Sequence, residues 1–472
     1  MRRVRRAIRW ASLCAALLLA ACASMAPPYE RPPLAVSDRF PLPTPDTPGP
    51  AAADLDWRQV FVDPRQQRLI ELALQNNRDL RVAALNIEQA QARATIQGAN
   101  LWPTLSAGVG GNRQNLGPAG TLTTYSAGVL ITAYELDFFG RLRSLSDAAQ
   151  AQAVSAEWAR RATQIALVAS VAAIYQSLVA DDELLKLTQQ TLDTRVESLR
   201  LTQLRFDNGA VSELDLRLAQ SVVSSARAAL AQVQRGRALD ESTLVLLVGA
   251  PLPADLPAGA GSLGEMAAFP TLPVGLPATV LQRRPDILSA EQQLIAANFN
   301  IGAARAAYFP QVSITASAGT VNADFSGLFK GGTWGWSVAP QVLLTLFDAG
   351  RNRATNQLAE STRDVALAQY DKAVQTAFRE VADALAGRDT LGEEAYQLQE
   401  TSKAEADRYR LVNLRYSNGV ASSLDLLDAQ RSLYTTQTLA LAARLGQAQN
   451  QVTLYKVLGG GWTETTTTSK AP

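Results

Sequence analysis

Arg205-Phe206-Asp207-Asn208-Gly209 and, 210 residues later, Arg415-Tyr416-Ser417-Asn418-Gly419 are two versions of one string, each sitting between two long apolar-periodic stretches. Asn-Gly supplies the left-handed residue that ends a helix, and Ser212 and Ser422 a few residues on are suited to cap the next one, so each string predicts the turn of an α-hairpin. Moving toward the N-terminus, Arg141 to Phe206 and Arg351 to Tyr416 contain no proline and are rich in Ala, Leu, Gln, Arg and Glu. Each predicts a continuous helix of roughly 100 Å, too long to fold back into a compact domain. The returning helices are expected to run to about Val248 and Leu458, where Gly249-Ala250-Pro251 and Gly459-Gly460-Gly461 stop them.

The same offset recurs elsewhere, which makes the chain an internal duplication. Asp215-Leu216 answers Asp425-Leu426, Ala219-Gln220 answers Ala429-Gln430, and Gly140-Arg141 answers Gly350-Arg351. Trp102-Pro103-Thr104-Leu105-Ser106 resembles Phe309-Pro310-Gln311-Val312-Ser313 at nearly that spacing. The expected organisation is a first repeat over 64–248, a Pro- and Gly-rich connector over 249–285, a second repeat over 286–458 and a flexible tail over 459–472.

Between the shorter helices, about Pro64 to Leu101 and Asp286 to Ala307, and the long ones lie segments of period two. Val312, Ile314, Ala316 and Ala318 alternate with Gln311, Ser313, Thr315 and Ser317, while Trp334, Trp336, Val338, Val342, Leu344 and Leu346 share one face of the next strand. Thr104 to Asn112 and Tyr125 to Leu136 are weaker versions in the first repeat. Strands of about ten residues fit a bilayer crossing, although soluble hairpins share this pattern. With no apolar stretch of 18 residues expected in the mature chain, a closed barrel is the remaining way to span lipid. Four strands are too few to enclose a pore, so several copies must share one barrel.

The N-terminus sets the compartment. Arg2, Arg3, Arg5, Arg6 and Arg9 precede the apolar run Ala11 to Ala21, a secretory signal that ends in the bacterial lipobox Leu19-Ala20-Ala21-Cys22. Cleavage before Cys22 removes residues 1–21, makes Cys22 the lipid attachment point and leaves 22–63 as a lipidated tether. Loss of five arginines takes the chain from a net charge of +1 to −4, which argues against a nucleic-acid binder. Cys14 goes with the signal, so the mature protein keeps no free thiol for a disulfide.

The chain contains no histidine. Ser-His-Asp and Cys-His catalysis and ordinary zinc sites are therefore excluded, and no phosphate loop or other cofactor motif is visible. Carboxylate-pair hydrolysis survives this filter without any constellation behind it. No enzyme activity, cofactor or metal is expected.

Several strings resemble the TolC-like outer-membrane factor family, and most of all its OprM/NodT-type lipoprotein branch. These are Pro28-Tyr29-Glu30-Arg31-Pro32, Arg283-Arg284-Pro285-Asp286-Ile287 with Ala290-Glu291-Gln292-Gln293-Leu294, the stretch from Asn300 to Pro310, and Leu346-Phe347-Asp348-Ala349-Gly350-Arg351. The resemblance covers nearly the whole mature chain. It implies a homotrimer, with four strands per chain closing a twelve-stranded barrel in the outer membrane and long helical hairpins forming an α-barrel in the periplasm. It also implies a periplasmic adaptor and an inner-membrane pump as partners, and Ala23-Ser24 after Cys22, in place of an Asp, implies the outer membrane.

In that resemblance the turns at Asn208, Gly209, Asn418 and Gly419 form the partner-facing tip. Asp425 and Asp428, spaced i, i+3, would form carboxylate rings that close the tunnel and select cations, with Tyr416 and Asp215 latching one hairpin to the other. Helix capping competes as an explanation for Asp425 and Asp215, because Ser422-Ser423-Leu424-Asp425 and Ser212-Glu213-Leu214-Asp215 are capping-box patterns. A basic residue that helps some members stay closed falls at Ala421 here. Arg283 and Arg284 are expected to hold the connector by bonds to carbonyls or carboxylates. The functional expectation is a passive exit duct for small molecules; a protein-secretion duct and a non-pore structural lipoprotein are the alternatives.

Overall fold

The computed structural model describes residues 24–41, 52–266, 272 and 280–461. The expected signal peptide, the Cys22 attachment point and the tail beyond residue 461 lie outside the described residues. The elements run α1 (Trp57–Val60), α2 (Pro64–Asn76), α3 (Arg78–Ala99), β1 (Leu105–Asn115), β2 (Thr121–Leu136), α4 (Arg141–Asp207), α5 (Glu213–Val248), α6 (Pro285–Ala306), β3 (Gln311–Asn322), β4 (Trp334–Leu343), α7 (Arg351–Ser417) and α8 (Ser423–Val457). The chain is thus the expected pairing of long antiparallel helices with four strands. The first helical stretch is split in two, because Asn77 takes an extended conformation, caps α3 through Leu80 N–H and donates its side-chain amide to the Leu247 carbonyl. The last strand ends at Leu343, so Leu344 and Leu346, read as strand from their alternation, lie beyond it.

Helices α4 and α7 are 67 residues each. Both end in a Schellman motif: Ala210 N–H bonds the Arg205 carbonyl and Gly209 N–H that of Phe206, repeated as Val420 to Arg415 and Gly419 to Tyr416. Gly209 and Gly419 have φ of 70° and 75°, the left-handed conformation that a side chain resists. Asn208 and Asn418 add side-chain bonds to the Leu204 and Leu414 carbonyls.

Two compact units result, and they are not the two sequence repeats. Among the described residues, one takes 24–33, 85–158 and 288–372; the other takes those between 34 and 84, those between 159 and 287, and 373–461. Helices this long pass through more than one packing environment, so each repeat contributes to both units. In the second unit Trp57, Phe61, Ile70, Val171, Val248, Leu385 and Tyr455 form the main core. The Tyr455 hydroxyl donates to the Leu55 carbonyl at 2.7 Å, and its ring meets Phe61 edge-on. Arg284, 8% exposed, bonds Asp286, Glu380 and the Val457 carbonyl, tying the connector to α7 and to the end of α8. Arg283 pairs with Asp54 at the surface.

The expectation that the mature chain has no membrane-length apolar stretch fails in α4, which contains one. More than half of that window (56%) is buried inside the protein, and Leu167, Val168, Val171, Ala172, Tyr175 and Val179 belong to the core of the second unit. Side chains committed to a packed core do not face lipid.

In the first unit the strands form one antiparallel sheet in the order β1-β2-β3-β4. The N-terminal segment is pinned to α6: Arg31 forks onto the buried Glu291 with two bonds of 2.6 Å, and the Tyr29 hydroxyl donates to the same carboxylate at 3.1 Å. Burial beside that carboxylate pushes the Tyr29 hydroxyl above its ordinary pKa.

Candidate functional site

Register assigns the paired strand residues to faces, with Thr132 and Ala133 left in an irregularity of β2. Leu105, Ala107 and Val109 pair with Ile131, Val129 and Ala127; those pair in turn with Ala316, Ala318 and Thr320, and these with Val338, Trp336 and Trp334. Directly paired residues point the same way. One face of the sheet is therefore almost wholly apolar across all four strands, and Trp336 and Val109 on it are each 69% exposed. The opposite face carries Ser106, Asn112, Gln114, Ser126, Ser313, Thr315, Ser317, Ser337 and Gln341. A soluble sheet buries its apolar face; this one displays it.

Aromatic residues gather at both ends of the strands. Tyr125, Phe325, Trp334 and Trp336 lie toward the β1–β2 and β3–β4 loops, with Tyr125 and Phe325 in edge contact at 5.6 Å. Trp102, Tyr134, Phe309 and Phe347 lie toward the helices, Phe309 stacking on Phe139 at 4.7 Å. About ten residues of tilted strand between such belts match an apolar band roughly 25 Å tall. Gly108, Gly128, Gly319 and Gly335 form one row on the polar face. A Cβ on Gly128 or Gly319 would collide with the Ala318 or Ala127 carbonyl oxygen, so glycine lets β2 and β3 fold toward one another there.

At the hairpin turns, in the second unit, α5 and α8 each begin with a reciprocal capping box. Ser212 Oγ accepts from Asp215 N–H while the Asp215 carboxylate accepts from Ser212 N–H and Oγ; Ser422 and Asp425 repeat this at 3.1, 3.1 and 2.7 Å. These bonds hold both carboxyl groups below the usual carboxylate range. The hairpins meet through Ser423, whose Oγ donates to Asp215 Oδ1 at 2.7 Å. Among the described residues Asp215 has this partner and Ser212, not Tyr416; the Tyr416 ring instead lies 4.7 Å from the Arg205 guanidinium.

Asp428 differs from Asp425. Its carboxylate is held by Arg408 at 2.6 Å and Arg431 at 2.8 Å, and Arg408 also bonds Glu405 at 3.0 Å. The Arg408 bond is the main cause of its lowered pKa. Two guanidiniums bond the Asp428 carboxylate, whereas among the described residues none bonds that of Asp425, which feels the charges of Arg415 and Arg408 only at longer range. Sequence spacing put both aspartates on one helix face and missed Arg408, because the partner comes from α7. Only the Arg431 contact, at i, i+3, was legible locally.

Comparison with known proteins agrees with this geometry. The family description "Outer membrane efflux protein" matches residues 69–250 and 276–460. The chain is 44% identical over 462 residues to the toluene efflux pump outer membrane protein TtgC of Pseudomonas putida, covering 96% of this chain and 95% of that one. It is 42% identical over 465 residues to the outer membrane protein OprJ of Pseudomonas aeruginosa, with 96% of each covered. Among solved structures, the open state of the Neisseria gonorrhoeae MtrE outer membrane channel superimposes with a TM-score of 0.85 at 40% identity, covering 93% of this chain and 99% of that one.

Proposed function

This chain belongs to the outer membrane efflux protein family and is an outer-membrane efflux channel, and from that premise we propose that it is the passive exit duct of a tripartite pump for small molecules. A periplasmic adaptor and an inner-membrane pump deliver the cargo, and three copies of the chain close one barrel, each anchored by a lipid on Cys22. The observation that carries the reading is the sheet: one face apolar and exposed, the other largely polar, both edge strands unpaired among the described residues. Repeating that sheet around an axis satisfies the edges, turns the apolar face to lipid and encloses a polar lumen. A duct of this kind performs no chemistry. Its direction comes from the pump.

The hairpin turns at Asn208, Gly209, Asn418 and Gly419 form the tip that meets the partners. Idle leakage is limited there by rings of Asp425 and Asp428 and by the Asp215–Ser423 bond between hairpins. Because Arg408 and Arg431 bond Asp428 directly while Asp425 feels Arg415 and Arg408 only through space, the less compensated negative charge of the gate is that of Asp425. Planar-bilayer recording of the purified lipidated protein tests this reading. Wild type should pass small cation-selective currents, Asp425→Ala should lose most of the selectivity, and Asp428→Ala should lose less. Stable currents with unaltered selectivity in both variants would reduce the aspartates to helix caps. No current from a verified insertion would overturn the channel itself.

A further inference from the structure

Arg195 on α4 is only 9% exposed, and it has no hydrogen-bonded or ion-paired partner among the described residues. Its Nε is fully enclosed and unsatisfied. The other buried arginine among the described residues, Arg284, is answered by Asp286 and Glu380. A guanidinium cannot shed its proton, so burial leaves a full charge to be compensated. The contact it does make is with the Tyr434 ring, 5.7 Å from the guanidinium carbon. A cation–π contact of that kind offsets part of the cost of burial and leaves the N–H donors unused. Burial pulls the Arg195 pKa below its ordinary value, and no carboxylate acts against this.

The guanidinium borders a cavity of about 160 Å³ within the second unit, lined by residues of α4, α7 and α8. Gln190, Thr194, Tyr409, Gln430 and Gln437 surround it, and none of the lining residues is acidic. Gln430 is also buried, with an unsatisfied amide oxygen; turning its amide brings the N–H₂ to the same space. The volume exceeds the share of a single water, roughly 30 Å³. A neighbouring groove that shares Thr194, Tyr409 and Gln430 continues past Arg205 to Tyr416, which supplies an access route from the hairpin turns.

From the enclosed cation, the donor-rich lining and the absence of any acid, we propose that this cavity is a binding site for a small inorganic anion of the halide class, held by Arg195. The anion neutralises the arginine and accepts from the amides and hydroxyls around it. Because Arg195 lies on the first hairpin and Tyr434 and Gln430 on the second, an occupied site clasps the two hairpins beside the Thr188–Tyr434 hydroxyl bond of 3.0 Å. The neighbouring acids are already engaged: Asp428 by Arg408 and Arg431, Asp193 by Gln189, and Glu197, which lines the access groove, by Arg200.

The test uses the full-length protein in detergent, with bromide as the probe. Crystals grown in sodium bromide should show an anomalous peak within hydrogen-bonding distance of the Arg195 guanidinium. The thermal midpoint should rise when chloride or bromide replaces gluconate at constant ionic strength, and Arg195→Gln should remove that dependence. Gln430→Leu, which keeps the charge and takes away a donor, should weaken it severalfold. An empty cavity in a crystal that holds bromide elsewhere overturns the proposal, as does the same anion dependence in Arg195→Gln as in wild type. A carboxylate found on Arg195, from a second copy or a docked protein, overturns it equally.

Discussion

Replacing Ser423 by Ala removes one atom from the proposed gate, and its effect can be worked out from the geometry. Ser423 Oγ donates to Asp215 Oδ1 at 2.7 Å and makes the hydrogen bond that joins the starts of α5 and α8. Asp215 keeps its cap on Ser212, and α8 keeps the Ser422–Asp425 box, so neither helix start is lost. A hydrogen bond to a carboxylate contributes about 1.5–3 kcal/mol when shielded, and this half-buried one roughly 0.5–1 kcal/mol. If opening breaks the bond in all three copies together, the closed state loses roughly 1.5–3 kcal/mol, and the open-to-closed ratio rises roughly 10- to 100-fold. Single-channel recording reads this as longer and more frequent openings at unchanged unitary conductance. Ser422→Ala serves as the comparison, because it breaks a cap inside one hairpin and leaves the link between hairpins in place. An open probability for Ser423→Ala indistinguishable from wild type, with Ser422→Ala opening more, would refute the latch.

Three further outcomes follow from the packing. Arg284→Met should lower unfolding stability by about 3 kcal/mol, the low end for breaking a buried ion pair, since Asp286 and Glu380 can rehydrate; Arg283→Met, at an exposed pair, should cost under about 1 kcal/mol, and equal losses in denaturant titrations would contradict the assignment. Asp181 is pushed up to about 6 by burial and by Asp240 and Asp182. Its contribution to stability is complete below pH 4 and is lost as pH rises through 6, so thermal midpoints should fall from pH 5 to 7.5, and Asp181→Asn should flatten that profile. Val338→Arg, on the apolar face, should impair membrane assembly by roughly 2–4 kcal/mol, whereas Ser337→Arg on the polar face should be tolerated; heat-modifiable electrophoresis of folded protein distinguishes them, and equal yields would refute the face assignment.

The local elements were legible because their causes are local. Proline-free, Ala- and Leu-rich runs predict long helices, Asn-Gly predicts the Schellman turns, Ser-x-x-Asp predicts the capping boxes, and period two predicts the strands, since each rests on residues within a few positions of one another. The duplicated sequence likewise implied two similar hairpins. Sequence pattern is ambiguous where it has two physical meanings: the apolar stretch in α4 lies inside one uninterrupted helix, and packing alone tells a buried core segment from a membrane span.

What the sequence by itself determined about this protein is most of its secondary structure and its duplication, both written in short-range chemistry. Tertiary structure decided the rest. Register sorted the strand residues into an apolar and a polar face and lined up the glycine row, because pairing partners lie up to about 200 positions apart along the chain. Helix packing brought Arg408 to Asp428 and Ser423 to Asp215, and it buried Arg195 with no acidic partner among the described residues. The balance of charge at a site depends on which helices become neighbours, and that is a property of the folded chain rather than of spacing along it.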